Sequence, residues 1–242
     1  MGTQATDVLF RNWPTGWLLA LVFPAALYGN PADDAWLDAH DEALTASVNE
    51  GELAFLEQPP AEAVHAHHNR ITLSGRSLND GWAGLYQCHT DLDPVPAAEI
   101  VFNAGRARHL QVEELAGIER AWVEGVSVQL QGVTPGARLC LSGETRVVVP
   151  QPDGSFLVRN GPFMRRFLDG FYPMHVRLEI VLPPGDWTLV HSQPAAQPGF
   201  EITRTAQGLD VDAWFEGELR TEFNFTPAGS GNSMNRNTEE QE

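Results

Sequence analysis

The sequence predicts an all-β protein, an antiparallel β-sandwich preceded by a short N-terminal helix. From Asn69 onward, apolar and polar residues alternate with a period of two in many short runs, as they do in half-buried strands. Turn signals rich in Gly, Pro and Asn separate these runs, for example at residues 79–81 and 134–136. This punctuation is typical of sandwiches and barrels. The clearest strand covers residues 174–182, where Met174 and Val176 alternate with charged neighbours.

The runs divide the chain into five segments. Residues 63–150 and 151–226 are predicted to form two immunoglobulin-like sandwich domains in tandem, although one larger sandwich fits the same strands almost as well. Residues 33–62 are predicted to be an acidic linker that carries the short helix. Residues 227–242 are predicted to be a disordered tail, because Gly, Ser, Asn and Glu dominate them.

The first 32 residues indicate export. Arg11 precedes an apolar run at residues 17–27, which is interrupted by Pro24. The run is shorter than the roughly 20 residues that span a bilayer and matches the apolar core of a secretory signal peptide. No clean small-x-small cleavage site follows it, so an uncleaved N-terminal anchor is the alternative. Either form predicts a periplasmic or secreted protein, with membrane contact only through an uncleaved segment.

The predicted helix follows two acidic residues that are good N-caps. One side of it carries apolar residues at helical spacing, and Gly51 and the prolines at 59 and 60 end it. The residues on which this prediction depends are Asp33, Asp34, Leu37, Leu44 and Val48.

The charge balance excludes some partners. The 242-residue chain has 15 basic residues, all of them arginine, against 32 acidic residues, and its formal net charge is −17. Such an excess of carboxylate repels nucleic-acid phosphates and anionic lipid headgroups. We therefore expect no nucleic-acid partner, whereas cations and basic surfaces stay compatible with the composition.

Cys88 and Cys140 are the two cysteines of the chain. An oxidising compartment favours a disulfide between them. Both lie on predicted strands of the first sandwich, as a bridge between two sheets would require. A redox or zinc role is weakly indicated, because no Cys-x-x-Cys pattern is present.

Four histidines form a candidate metal site. His65, His67 and His68 precede the first predicted strand, and His89 ends the second. Antiparallel pairing of the two strands would bring these imidazoles together, and His65 and His67 share one face of an extended segment. Imidazole ligands suit Zn²⁺ or Cu²⁺. The alternative is a solvated histidine-rich surface with no cofactor.

The segment from 160 to 174 is a candidate interface. It combines adjacent arginines with several aromatic side chains, which is the composition of interface hot spots. Arginine also binds carboxylate groups through two hydrogen bonds. The alternative is a long hairpin whose aromatic side chains anchor it to the core while its arginines pair with Asp and Glu. The candidate binding residues are Phe163, Arg165, Arg166, Phe167, Phe171 and Tyr172.

No catalytic residue is predicted. The sequence has no Gly-x-Ser-x-Gly elbow, no His-Glu-x-x-His motif and no phosphate-binding glycine loop. The first hypothesis is therefore a non-enzymatic, extracytoplasmic binding or assembly module, whose partner is another extracytoplasmic protein or an acidic ligand. The second hypothesis is a Zn- or Cu-binding protein that uses the histidines. The third is a metal-dependent hydrolase.

Overall fold

The structure, a computed structural model, describes residues 8–9, 51–167 and 170–228. This part of the chain is all-β, with two sheets, one two-stranded hairpin and one short helix, α1 (Ser77–Asp80). No helix in it is long and apolar enough to cross a membrane. The strands are β1 (Val8–Leu9), β2 (Ala54–Phe55), β3 (Ala66–Thr72), β4 (Trp82–Thr90), β5 (Ala97–Val101), β6 (Ala107–Glu124), β7 (Ser127–Arg146), β8 (Val148–Pro150), β9 (Phe156–Phe163), β10 (Arg165–Phe167), β11 (Gly170–Tyr172), β12 (Met174–Val181), β13 (Trp187–Gln193), β14 (Phe200–Thr205), β15 (Gly208–Glu216) and β16 (Leu219–Pro227).

Ten strands form the large sheet, in the order β1-β5-β7-β4-β3-β12-β15-β14, with β2 paired to β15 and β6 paired to β7. All of these pairings are antiparallel except one, in which β3 runs parallel to β12. Strand β12 lies between β3 and β15 and alternates between the two faces of the sheet. Its residues at 174, 176, 178 and 180 are buried, while those between them reach the opposite face.

The small sheet packs on one half of the large sheet to form a sandwich. Its strand order is β13-β16-β9-β8. Aromatic side chains from β9, β14, β15 and β16 fill the core between the two sheets, and these are Phe156, Phe200, Phe215, Phe223 and Phe225, each at most 2% exposed.

A second core lies beside the first, among β4, β5, β6 and β7. Leu85, Ile100 and Leu139 are at its centre. The long hairpin of β6 and β7 contributes side chains from both of its halves, because three register shifts interrupt the pairing of the two strands. Irregularities of this kind bend strands, which allows one ribbon to enclose a core.

One predicted turn is instead part of a strand. The residues Thr134, Pro135 and Gly136 were expected to end a strand, yet β7 continues through them. Ala116 pairs with Arg138, and the next pair is Ile118 with Val133. A step of two residues along β6 therefore corresponds to a step of five residues along β7, and the extra residues of β7 form a bulge. Proline has no backbone N–H that must be paired, and Gly136 has a φ of +73°. Both residues therefore occur in a bulge as readily as in a turn.

The prediction of a β-sandwich architecture is confirmed at the level of an all-β fold with packed sheets, whereas two tandem immunoglobulin-like domains are not confirmed. Segments on both sides of the predicted boundary at 150/151 share one sheet, since β3 pairs with β12. They also share one core, in which Ile71 and Val148 pack with residues from β9 to β16. The helix predicted from Asp33 and the tail after residue 228 lie outside the described residues. Val8 and Leu9, inside the predicted export segment, pair with β5.

The disulfide between Cys88 and Cys140 is present, but it does not join two sheets. The two residues are direct partners on the adjacent antiparallel strands β4 and β7, with their Cα atoms 4.0 Å apart. The expectation of an inter-sheet bridge was wrong because sequence alternation identifies strands without identifying which strands are neighbours.

Candidate functional site

Three of the four candidate histidines form a buried cluster, which we call the histidine column. It consists of His65, His67 and His89, which are 4%, 6% and 2% exposed. The antiparallel register of β3 and β4 puts His67 directly opposite His89. The ring of His89 stacks on both neighbours, with centroid distances of 5.2 Å to His65 and 4.4 Å to His67. Buried imidazoles are uncommon, so this column is a feature that needs a physical account.

A chain of hydrogen bonds orders the column. The Gln87 amide Nε2 lies 2.6 Å from His89 Nε2, and His89 Nδ1 lies 2.9 Å from His65 Nε2. A neutral imidazole has one donor and one acceptor. With the amide nitrogen as donor, His89 accepts at Nε2 and donates from Nδ1 to His65. The third imidazole is less well satisfied, because His67 Nε2 is buried without a hydrogen-bond partner.

Burial keeps the column neutral. Desolvation lowers the pKa of His65 to about 4, against a smaller upward effect of the Asp93 carboxylate. Desolvation and the neighbouring His65 lower the pKa of His67 to about 3. The pKa of His89 is also well below its ordinary value, for the same reason of burial and because His67 and His65 lie nearby. All three are therefore uncharged at pH 7.

His68 does not belong to the column. It alternates with His67 along β3 and lies on the opposite, exposed face of the large sheet. There it borders a shallow polar groove together with Arg177, Glu179 and Asp212. The candidate metal set of four histidines is thus reduced to three by the pleat of the strand.

The column as it stands does not have the geometry of a metal site. Among the described residues, no group of three or more His, Cys, Asp or Glu side chains is arranged to hold a metal ion. The lone pairs of imidazole lie in the ring plane. The rings of His65 and His67 are inclined by only 26° and 27° to His89, so these lone pairs do not converge on one point. Metal binding would require at least one ring to rotate.

The candidate arginine segment lies directly beside the column. Phe163 is buried at the end of β9, and its ring meets His67 edge-on at 5.2 Å. Arg165 is bound by the Asp93 carboxylate through two hydrogen bonds, from Nε at 3.1 Å and from Nη2 at 2.6 Å. Both partners of this ion pair are largely buried. The pair fixes the position of Arg165, which therefore has little freedom to meet a partner.

Strands β10 and β11 form the exposed part of that segment, and we call them the arginine hairpin. Arg166 pairs with Phe171 across the hairpin, and its guanidinium carbon lies 5.6 Å from the centre of that ring. Arg165 approaches the ring of Tyr172 at 5.7 Å. Arg166 and Tyr172 are exposed. Phe167 belongs to β10, and its side chain lies outside the described part of the structure.

The structure also identifies residues that the sequence did not single out. Gln87 orders the column, and Asn69, with an unpaired buried Oδ1, lies close to His67. The alternation of β3 puts Asn69 on the face of His67, but a polar residue in a strand pattern usually points to solvent. Nothing in the sequence therefore indicated that the side-chain amides of Gln87 and Asn69 are buried.

No protein-family model and no curated protein matches this sequence. The functional argument consequently depends on the geometry and chemistry of the site itself.

Proposed function

We propose that the protein is a non-enzymatic, extracytoplasmic binding module that recognises an acidic group on another protein through the arginine hairpin. The observation that carries the proposal is Arg166. Within the described residues it forms no ion pair, although the chain has more than twice as many acidic as basic residues. An exposed guanidinium beside an aromatic ring is well suited to bind a carboxylate, because it offers paired donors and a stacking surface.

The anchoring of the hairpin supports recognition with a small loss of conformational entropy. Asp93 holds Arg165, and Phe163 is buried at the preceding strand end. The neighbouring Phe171 lies against the backbone at Gly51, where an added Cβ would be 3.1 Å from the ring. Side chains fixed before binding lose less entropy when a partner docks, so a preorganised hairpin favours affinity.

An extracytoplasmic location is part of the proposal. It is supported by the apolar segment at residues 17–27, which has the length of a signal-peptide core. The disulfide between Cys88 and Cys140 supports it further, since structural disulfides are rare in a reducing cytosol.

A site-specific photo-crosslink tests the proposal. A benzophenone amino acid is introduced at Tyr172 in the full-length chain, and a second one at Val190, which is exposed elsewhere on the molecule. We expect one discrete covalent adduct from position 172 and none of the same mass from position 190. Arg166→Glu should abolish the adduct, because it places a carboxylate against the acidic partner group.

Arg76→Glu is the matched control for charge reversal. Arg76 is exposed and pairs with Asp80 in α1, well separated along the chain from the hairpin. The proposal is wrong if Arg166→Glu leaves the adduct unchanged, or if Arg76→Glu removes it to the same extent.

A second candidate function is binding of Zn²⁺ or Cu²⁺ by the histidine column. The observation that favours it is His67 Nε2, a buried nitrogen with no hydrogen-bond partner next to two further neutral imidazoles. Neutral imidazole is the form that ligates these metals. Rotation of the His89 ring would have to replace its hydrogen bonds with metal–nitrogen bonds.

Elemental analysis of the exported protein decides this second candidate. Near one equivalent of metal is expected in the parent protein and in the exposed-face variant His68→Ala, and none in His67→Ala. Equal substoichiometric metal in all three proteins would exclude the column as a metal site.

A further inference from the structure

A cavity of about 290 Å³ lies where β9, β16 and the end of β13 meet the turn before β6. Three arginines border it, although they are far apart in sequence and the chain is strongly acidic. The residues that matter for its chemistry are Arg106, Arg159, Arg220 and Glu222.

Arg106 brings an uncompensated charge to this cavity. Among the described residues it pairs with no carboxylate. Its guanidinium instead donates to two backbone carbonyls, from Nε to Arg146 O at 3.2 Å and from Nη2 to Arg159 O at 3.0 Å. Burial, and then the positive charges of Arg159 and Arg220, lower the pKa of Arg106. The guanidinium groups of Arg159 and Arg220 are therefore close enough to Arg106 to repel its charge.

The acidic side chains around the cavity neutralise only part of this charge. Arg159 pairs with Glu222 at 2.6 Å, and Arg220 pairs with Glu218 at 3.1 Å. Of these two acids, Glu222 borders the cavity. The three arginines and these two acids together leave a net charge of +1 at the cavity, which favours an anion and disfavours a cation.

The pleat of the small sheet separates two unpaired polar atoms from this charge. Thr221 Oγ1 and the Nδ2 of the opposite residue, Asn160, are buried without hydrogen-bond partners. Both side chains lie on the core face of the small sheet, whereas Arg159 and Arg220 lie on its other face. The guanidinium groups are therefore the donors that an oxyanion in the cavity would meet.

We propose that this cavity binds a small ligand through a phosphate or sulfate group. The guanidinium groups of Arg106 and Arg220 hold the oxyanion by charge-assisted hydrogen bonds. The volume is close to the lower end of the range for ligand pockets, roughly 300 Å³, and so admits a small organic group attached to the anion. The site is independent of the arginine hairpin, since it uses none of the same side chains.

Isothermal titration calorimetry of the full-length protein with inorganic phosphate and with inorganic sulfate tests the proposal. Acetate serves as the carboxylate probe, and sodium chloride keeps the ionic strength constant. We expect saturable binding of one equivalent of phosphate or sulfate. Arg106→Gln and Arg220→Gln should each weaken it by about tenfold to a hundredfold, the range for a hydrogen bond to a charged group.

Arg76→Gln is the control, because it removes an exposed arginine that has a carboxylate partner away from the cavity. Circular dichroism must show the parent fold for each variant, and the half-exposed Arg220 provides a variant with little effect on packing. Failure of both phosphate and sulfate to bind with a dissociation constant below about 10 mM would overturn the proposal. It would also be overturned by equal binding of acetate, or by an equal loss of affinity in Arg76→Gln.

Discussion

Acidification from pH 7 to pH 5 is expected to destabilise the fold through the histidine column. In the unfolded chain a histidine has a pKa near 6.5, whereas burial lowers that of His65 to about 4 and that of His67 to about 3. Between these values the unfolded chain binds protons that the folded protein excludes. Stability is therefore highest above pH 6.5 and is lost as the pH falls from 6.5 toward the folded-state values.

The magnitude follows from the pKa difference. At pH 5 the unfolded histidines are 1.5 pH units below their pKa, and each unit corresponds to about 1.4 kcal/mol per proton. His65 and His67 therefore each reduce the free energy of unfolding by about 2 kcal/mol at pH 5, and His89 acts in the same direction. The reduction from two histidines, about 4 kcal/mol, is a large part of a typical total of about 5–15 kcal/mol.

Urea unfolding at pH 7, pH 6 and pH 5 measures this loss, and His67→Leu isolates the contribution of one imidazole. The variant removes a buried nitrogen that already lacks a partner, so we expect little change at pH 7. At pH 5 it should recover about 2 kcal/mol relative to the parent protein. The same pH dependence in the parent protein and in His67→Leu would refute the reasoning. His191→Gln, at an exposed position on β13, controls for the removal of any histidine.

Three further predictions concern the stability of the fold. Reduction of the disulfide, which joins residues 52 apart in sequence, should lower the free energy of unfolding by about 4 kcal/mol in urea titrations with and without reductant. An unchanged midpoint would contradict that role. Gly208→Ala should destabilise by about 1–3 kcal/mol, because Gly208 has a φ of +155° and its added Cβ would lie 1.9 Å from the backbone oxygen of Ile180. Gly75→Ala meets no atom within 4 Å and should leave the thermal midpoint almost unchanged; similar losses in both variants would contradict the steric reason. Asp93→Asn removes the carboxylate that neutralises the largely buried Arg165 and should cost about 1–3 kcal/mol in the same urea assay, whereas wild-type stability would show that the pair contributes nothing.

The sequence predicted individual strands well where one face is buried. Residues 174–182 were expected to be a strand, and β12 covers Met174–Val181. Alternation is a local property of such a segment, so a single sequence is sufficient to detect it. The bulge at Thr134, Pro135 and Gly136 was not predictable in the same way. The same residue types satisfy the backbone of a turn and of a bulge, and the partner strand decides between the two.

The arrangement of strands had no comparable signal. Parallel pairing of β3 with β12 joins segments about a hundred residues apart, which lie on opposite sides of the predicted boundary at 150/151. Residues that pair across such a distance are selected by the packing of the whole molecule and not by local propensity. The adjacency of β4 and β7, which makes the disulfide a link within one sheet, is a second example.

The candidate site was predictable in part for the same reason. Extended geometry correctly assigned His65 and His67 to one face, and it also puts His68 on the other face. Their burial was not predictable, because imidazole is compatible with both a core and a surface. The cavity formed by Arg106, Arg159 and Arg220 had no signal, since its members come from three separate parts of the chain.

The excess of acidic residues makes an unpaired arginine informative in this protein. With 32 carboxylates for 15 guanidinium groups, an arginine on the surface has many potential partners, and most described arginines do form ion pairs, as Arg108 does with Glu144. The described arginines that form no ion pair are Arg106, Arg120, Arg146, Arg166 and Arg204. Of these, Arg106 donates to two backbone carbonyls, and Arg166 lies beside an aromatic ring. Within the described residues, Arg106 and Arg166 have no acidic partner although acids are abundant in the sequence. Charges that are left unneutralised in this way are available to an external anion, which is the common physical basis of the two binding proposals.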